Sequence, residues 1–370
     1  MSLDMVHEPT FSMQHLPLVK LSIKLTKESQ LQVLSGLLPR TLSKLDINGE
    51  FDSSLAGLPE SLGTLTINAN WHHRITPGML PPNLTELHLV SGYPQSILKD
   101  ALPSKLACID MGRSFNQPID NLPPSVTELY LGHNYDLPLH YLPVQSLYHY
   151  GKASFFPGQS FPTITSMCLC QDLNTILSIT ESMFPNLDSL ILFDLEVDDW
   201  DSLDLSTMPS SLRLLDIQAH GPISSLPKGL KHLNTHCYSG MFDKIDVLLP
   251  PSLEFLHLHS YQHPISIGDL PQSLTSLSLI DMFYSLHPTV IPPSVRTLSI
   301  NSFKRGELFE HLDLLLAMTS LFEIKLRRHR DNYTASFELL RISDTLFLNH
   351  TAMLPSYGFI DAATILAKTK

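Results

Sequence analysis

The chain is short of charge, of cysteine and of long apolar runs, and each shortage removes a class of protein. Charged residues make up 16% of the 370, and they are unbalanced: 24 lysines and arginines against 36 aspartates and glutamates, a formal net charge of −12. A surface so poor in positive charge repels a phosphate backbone, so no nucleic-acid partner is expected. The four cysteines, Cys108, Cys168, Cys170 and Cys237, show neither a disulfide framework nor zinc-ligand spacing. They read as buried thiols of a reducing compartment. No stretch reaches the ~18 apolar residues of a membrane span, so no membrane partner is expected. The opening MSLDMVHEPTFSMQHLPLVK has no basic region followed by an apolar one and does not read as a signal peptide. A cytoplasmic location is the expectation. Gly-x-Gly-x-x-Gly, the P-loop, His-Glu-x-x-His and Gly-x-Ser-x-Gly are all missing. The expectation is therefore no catalytic residue, no cofactor and no metal.

Glycine is also scarce, at 16 against 28 prolines. Proline in that excess, without a collagen period or low complexity, implies a residue used once per repeat. The repeat is Leu-Pro-x-x-Leu-x-x-Leu-x-Leu. It appears as LPRTLSKLDI from Leu38, LPESLGTLTI from Leu58, LPPNLTELHL from Leu80, LPSKLACIDM from Leu102 and LPPSVTELYL from Leu122. It returns as MPSSLRLLDI from Met208, LPKGLKHLNT from Leu226, LPPSLEFLHL from Leu249, LPQSLTSLSL from Leu270 and IPPSVRTLSI from Ile291, with weaker copies from Leu16, Leu142, Phe161 and Phe184. Starts lie roughly 18 to 24 residues apart, the range of leucine-rich repeats.

Each position has a physical reason. The last two leucines alternate as the inward face of a short strand, and the residues between them point out. Proline fixes φ, keeps the preceding residue extended and brings no N–H, which suits the turn into the strand. Four residues after the last apolar strand position comes an aromatic (Phe51, Trp71, Tyr93, Phe115, Tyr135), and four later an aliphatic (Leu55, Ile75, Ile97, Ile119, Leu139). These fill the side opposite the strands. Tyr261 and Ile265 keep the inner spacing, and Phe283 keeps the offset alone. One coil cannot bury its own apolar faces, so coils stack and the ends are capped.

The segment Ser114 to Ile119, SFNQPI, followed by LPPSVTELYLG, resembles the repeat of the FNIP-repeat proteins, a leucine-rich-repeat-like group. The likeness extends over about residues 38 to 305. It implies an α/β-type repeat solenoid: a leucine-rich-repeat-like horseshoe with short parallel strands on the concave face, few helices and capped ends. The F-box that opens some members is not evident in residues 1–37. Of the asparagine ladder usual after such strands, Asn70 and Asn134 alone sit in register, and the aromatics are expected to stand in for it.

Residues 1–37 read as an N-terminal cap, with a strand over 18–25 and a short helix over 27–34. Residues 38–305 are the array, with a looser period between 142 and 207 where a bend or an insertion fits. Residues 306–370 read as a C-terminal cap: a helix carrying Leu308, Leu312, Leu315 and Leu316, strands over 321–326, 336–342 and 345–349, and an amphipathic helix over 359–368.

Binding is expected on the outward strand positions, the usual working face of such arrays. The candidates are Asp46, Glu86, His88, Asp110, Glu128, Tyr130, Asp216, His232, His257 and His259, with Tyr130 and Tyr148 the most anchor-like, since tyrosine is enriched at interface hot spots. The function read from this is a non-enzymatic module that binds a protein or peptide on its concave face, as scaffold or substrate receptor. One alternative is a host- or pathogen-directed effector acting by binding. Another is a metal-binding protein or enzyme using the outward histidines, because His257 and His259 share a strand face with His232 and His236 one coil earlier. Asp198, Asp199, Asp201 and Asp204 form an acidic loop without calcium-site spacing. The run Lys325, Arg327, Arg328, His329 and Arg330 reads as a solvated cap edge.

Overall fold

The computed structural model describes residues 2–5, 13–25, 37–152, 154–155, 158–170, 176–196, 203–220, 223–236, 249–261, 264–281, 286–302, 311–330, 333–349 and 358–369. The chain divides into two compact units, one of residues 1–178 and 182–187, the other of residues 179–181 and 188–370. Each is a segment of parallel-strand solenoid.

Unit 1 carries strands β1 (Ser2–Met5), β2 (Lys20–Leu25), β3 (Lys44–Gly49), β4 (Thr64–Asn68), β5 (Glu86–His88), β6 (Cys108–Asp110), β7 (Glu128–Leu131), β8 (Ser146–His149) and β9 (Ser166–Cys170). Each pairs in parallel with the next, without slip. The register aligns Ser22, Asp46, Thr66, His88, Asp110, Tyr130, Tyr148 and Cys168 as one outward row. The inward neighbours Leu21, Leu45, Leu65, Leu87, Ile109, Leu129 and Leu147 are buried. Burial of such a column, at about 25 cal/mol per Å² of apolar surface, is what holds one coil to the next.

The Leu-Pro phrase makes a turn at each of its ten stronger copies. The proline carbonyl accepts from the amide three residues on, as in Leu62 N to Pro59 O at 3.0 Å, Leu84 N to Pro81 O at 3.1 Å and Val126 N to Pro123 O at 3.0 Å. A second proline, as at Pro82 and Pro124, has its φ already set for the second position of that turn. The serine that often precedes the next leucine has a job of its own. Ser61 Oγ donates to Leu42 O at 2.7 Å and Ser125 Oγ to Leu106 O at 2.6 Å, each reaching the coil before. Ser252 and Ser273 repeat the bond in the other unit.

The opposite side of unit 1 is filled as the spacing predicts. Phe51, Trp71, Tyr93, Phe115 and Tyr135 are buried, and so are Leu55, Ile75, Ile97, Ile119 and Leu139. Trp71 stacks on Tyr93 at 5.7 Å and Phe115 on Tyr135 at 6.0 Å. The polar tips are used: Trp71 Nε1 donates to Ser53 O at 2.8 Å, and the Tyr93 hydroxyl accepts from Ile75 N at 2.8 Å. After Tyr135 the period loosens and a phenylalanine cluster takes over. Phe161 stacks on Phe184 at 5.3 Å with Phe155 edge-on to both. Gly112, at φ 69°, marks a close backbone approach; a Cβ there would land on the carbonyl oxygen of Leu89.

Unit 2 carries β10 (Ser189–Glu196), β11 (Leu203–Asp204), β12 (Leu214–His220), β13 (Ile223–Ser225), β14 (His232–Thr235), β15 (Phe255–His259), β16 (Ser276–Ile280), β17 (Thr297–Ser302), β18 (Glu323–Arg330), β19 (Tyr333–Arg341), β20 (Leu346–Asn349) and β21 (Gly358–Asp361), with helices α1 (Leu312–Ala317) and α2 (Ala362–Thr369). The run β10, β12, β14, β15, β16, β17 and β18 is parallel, with one register shift between Leu192 and Leu195. β11 and β13 form a separate parallel pair. From β18 the pairing reverses, and β18 to β21 form an antiparallel closure. Arg341, 8% exposed, fastens it: Nε donates to Leu321 O, Nη1 to Asp344 O and Nη2 to both Leu316 O and Met318 O, while the guanidinium lies 4.6 Å from the Phe347 ring.

The terminal segments differ from the sequence pattern in detail. Phe359 and Ile360 belong to a strand rather than to the last helix, because Asp361 caps that helix: its Oδ1 accepts from Thr364 N at 2.8 Å. The expected helix over 27–34 lies outside the described residues, as do Leu308 and Phe283. No helix of the described residues is long and apolar enough to cross a membrane.

Candidate functional site

The predicted binding residues fall into two groups, one on each unit. Asp46, Glu86, His88, Asp110, Glu128 and Tyr130 stand on β3 to β7 of unit 1. Asp216, His232, His257 and His259 stand on β12, β14 and β15 of unit 2. All are half-buried except Glu86, which is exposed.

On unit 1 the centre is an aromatic pair. Tyr130 and Tyr148, opposite each other in the β7–β8 register, stack at 4.1 Å and 3° from parallel. Burial first, then Tyr148, raises the Tyr130 hydroxyl well above its ordinary pKa. One coil back, three carboxylates converge on a half-buried thiol. Burial, then Glu128, Glu86 and Asp110, push Cys108 up to about 12. Asp110 Oδ1 accepts from Gly112 N at 2.8 Å, and Glu86 accepts from Thr64 Oγ1 at 3.1 Å with His88 Nε2 at 3.9 Å. Among the described residues, no lysine or arginine pairs with any of the three.

The thiol therefore stays protonated at neutral pH. At pH 8, Cys108 is expected to react with iodoacetamide on the order of a hundredfold more slowly than a free cysteine. Glu86→Gln/Glu128→Gln is expected to speed the reaction. Mass spectrometry of the alkylated peptide reads both rates, and a free-thiol rate in the unaltered chain would mean the carboxylates do not converge. Cys108, Cys168 and Cys170 are in no disulfide, the last two buried; Cys237 lies outside the described residues.

At the start of the array the outward side carries a polar ladder that the sequence pattern did not single out. Asn48 Nδ2 reaches Ser22 Oγ at 3.4 Å, Asn68 Nδ2 reaches Asn48 Oδ1 at 3.4 Å, and Ser91 Oγ donates to Asn68 Oδ1 at 3.1 Å. Asn70 and Asn134, the positions marked in the sequence, are exposed instead. The signal was present in the alignment of Asn48 with Asn68 one place past the inward isoleucine.

On unit 2 the outward histidines gather near Asp216. Asn234 Nδ2 donates to Asp216 Oδ2 at 2.8 Å, and His236 Nε2 lies 3.8 Å from Asp216 Oδ1. His236 stands 5.8 Å from His257 and 5.9 Å from His259, ring to ring. His259 Nε2 faces Asp281 at 3.7 Å, and His232 stacks on Phe255 at 4.2 Å. Burial, then the two neighbouring imidazoles, lower the pKa of His257. Among the described residues no three histidines, cysteines or carboxylates are arranged to hold a metal ion. Of the basic run, Lys325 pairs with Glu323 at 2.7 Å and Arg327 with Glu338 at 3.0 Å. Asp204 accepts from the Ser225 hydroxyl and from Ser206 N, and its three acidic neighbours lie outside the described residues.

The repeat now has its geometry: a proline turn, a strand with an outward row, and a buried aromatic on the opposite side. Three segments, residues 71–114, 115–148 and 243–282, match the family model for the FNIP Repeat. This chain carries FNIP repeats. The first two matches open on Trp71 and Phe115, two of the buried spine aromatics. No curated protein matches the sequence. Among solved structures, CroV588, described as a novel circular LRR protein, is similar at 22% identity with a TM-score of 0.53, over 83% of this chain and 53% of that one. The FNIP-repeat chain thus spans about half the length of that relative, and the likeness is one of fold. YopM from Yersinia enterocolitica WA-314 is a weaker likeness, at 21% identity with a TM-score of 0.42, over 79% of this chain and 66% of that one. The FNIP-repeat array is a leucine-rich-repeat-like fold, a kind that commonly mediates contact between proteins.

Proposed function

We propose that this chain is a non-enzymatic interaction module that takes a protein or peptide on the outward, concave face of its strands, as a scaffold or substrate receptor. Residues 38–305 form the working array, with residues 1–37 and 306–370 as its caps. The observation that carries the reading is the stacked Tyr130–Tyr148 pair. It is a half-buried aromatic anchor within a mostly polar row, the kind of residue that dominates binding energy at interfaces. Cysteines outside any disulfide fit work in the cytoplasm.

Affinity purification of the intact chain beside Tyr130→Ala/Glu128→Ala tests this. The unaltered chain is expected to recover partners that the variant loses by about tenfold or more, since truncating an anchor costs ~2 kcal/mol or more. Equal recovery by both would end the claim for this face.

A further inference from the structure

We propose that the step beside the tyrosine pair binds an arginine side chain, so that the partner presents a cationic segment to unit 1. The proposal rests on the interaction reading above and adds the chemistry of the occupant.

The argument starts from the register. His88, Asp110, Tyr130, Tyr148 and Cys168 lie side by side across β5 to β9. The two tyrosine rings are parallel and separated by about one strand spacing, so their normals run along the row. The faces they turn to each other are used. The other face of Tyr130 is turned toward β6, where the register sets the short side chain of Asp110 opposite it. Two places along β6 from Asp110 stands Cys108, an uncharged thiol at neutral pH. The rim of the step is Glu86 and Glu128, opposite Cys108 in the register on either side, with Asp110 two places along the same strand. Asp110 Oδ1 is engaged by the Gly112 amide, and the carboxylate's remaining lone pairs stay open to a donor.

Three carboxylates on neighbouring strands repel one another, and no lysine or arginine of the described residues pairs with them. A cation does. The acids alone would attract any cation and select none; the tyrosine face turned toward them selects a planar one. A guanidinium stacks on the ring while its fork donates to a carboxylate, whereas an ammonium offers a hydrated point charge and no plane. An acidic or phosphorylated segment is repelled by the same rim. The net charge of −12 steers basic segments toward the molecule as a whole, so the test must separate this step from general acidity.

Fluorescein-labelled tetra-arginine, tetra-lysine and tetra-glutamate are titrated with the intact chain, read by fluorescence anisotropy at near-physiological salt. Tetra-arginine is expected to bind about fivefold more tightly than tetra-lysine, and tetra-glutamate not at all. Asp110→Asn/Glu128→Gln, in which the asparagine still caps the Gly112 amide, is expected to weaken tetra-arginine about tenfold. Tyr130→Leu is expected to bring tetra-arginine and tetra-lysine to within about twofold of each other. Glu60→Gln/Asp120→Asn removes two exposed charges that lie outside the strands and is expected to change binding less than about twofold. Each variant is first matched to the unaltered chain by thermal melting. Equal binding of arginine and lysine peptides, or equal loss in the Glu60/Asp120 control, overturns the proposal. The two readings fail separately. A partner lost in Tyr130→Ala/Glu128→Ala together with no affinity for tetra-arginine ends the arginine assignment and leaves the interaction face. Arginine-selective binding with no partner lost does the reverse.

Discussion

Arg341→Met is expected to destabilise unit 2 by about 3–5 kcal/mol, the cost of several buried acceptors left without their donor. The guanidinium satisfies four backbone carbonyls at once, those of Leu316, Met318, Leu321 and Asp344. Two of them belong to the end of α1, where helix carbonyls have no partner of their own. Methionine fills much of the volume but leaves the carbonyls of Leu316, Leu321 and Asp344 without the donor they had, while Met318 O keeps the Leu321 amide at 3.0 Å; the cost is ~1–3 kcal/mol for each that water cannot reach. Arg341→Lys is the sharper variant. It keeps the charge, yet three donors on one nitrogen cannot reach four carbonyls spread around a plane, and the contact with Phe347 is lost. A loss of at least about 2 kcal/mol is expected for lysine as well. Urea denaturation of both variants, followed by circular dichroism, gives the two values. A lysine variant as stable as the unaltered chain would show that charge alone closes the sheet.

The second large effect is an acid lability centred on His149. Its side chain is fully buried at an inward position where the coils on either side place Leu131 and Leu169. Nδ1 accepts from Gly151 N at 3.1 Å, and the ring meets Tyr135 edge-on at 5.6 Å. Burial pulls its pKa from 6.5 down to about 4. The folded state thus holds the imidazole neutral, while the unfolded chain protonates it near 6.5. Above pH 6.5 both states are neutral and the residue contributes no pH dependence. Between 6.5 and about 4 the unfolded state binds the proton first, so stability falls as the pH falls. Below 4 the loss levels off at about 3 kcal/mol. His149→Leu is expected to remove that part of the slope from the unit 1 transition while leaving the carboxylate contributions. Denaturation midpoints at pH 7, 5.5 and 4 measure it, and an unchanged slope in the variant would mean the imidazole is solvated in the folded state.

These two residues mark where the sequence stopped being readable. The strands, the proline turns and the aromatic spine were legible because each recurs once per coil, and recurrence separates a structural demand from chance. The register that aligns Asp46 with Thr66, His88, Asp110 and Tyr130 follows from the same phrase. Arg341 and His149 occur once. An arginine in SFELLRI and a histidine in SLYHY look like solvated strand residues until the pairing shows that both point inward. The antiparallel closure was hidden for a related reason: parallel and antiparallel strands share the same alternation, and only the partner decides between them. The ladder through Asn48 and Asn68 and the serine bond to the preceding coil do recur, and a closer reading of the outward positions would have found them. The candidate site was legible in part. Tyr130, Glu128 and Asp110 stood out as outward residues, but the closeness of Glu86, Asp110 and Glu128 around one thiol is a fact of three coils together.

The outward row also sets a rule for the length scale of any ligand. Its residues repeat at the spacing of hydrogen-bonded strands, ~4.8 Å, whereas a polyproline-type segment advances ~3.1 Å per residue. Laid across the strands, such a segment falls out of step with its neighbours and returns to step after three of its own residues and two coils, since both cover about 9–10 Å. The surface thus acts as a vernier: it compares every third ligand side chain with every second coil. A ligand whose basic residues recur at every third place can satisfy several coils together, and one with the same composition in a shuffled order meets them one at a time.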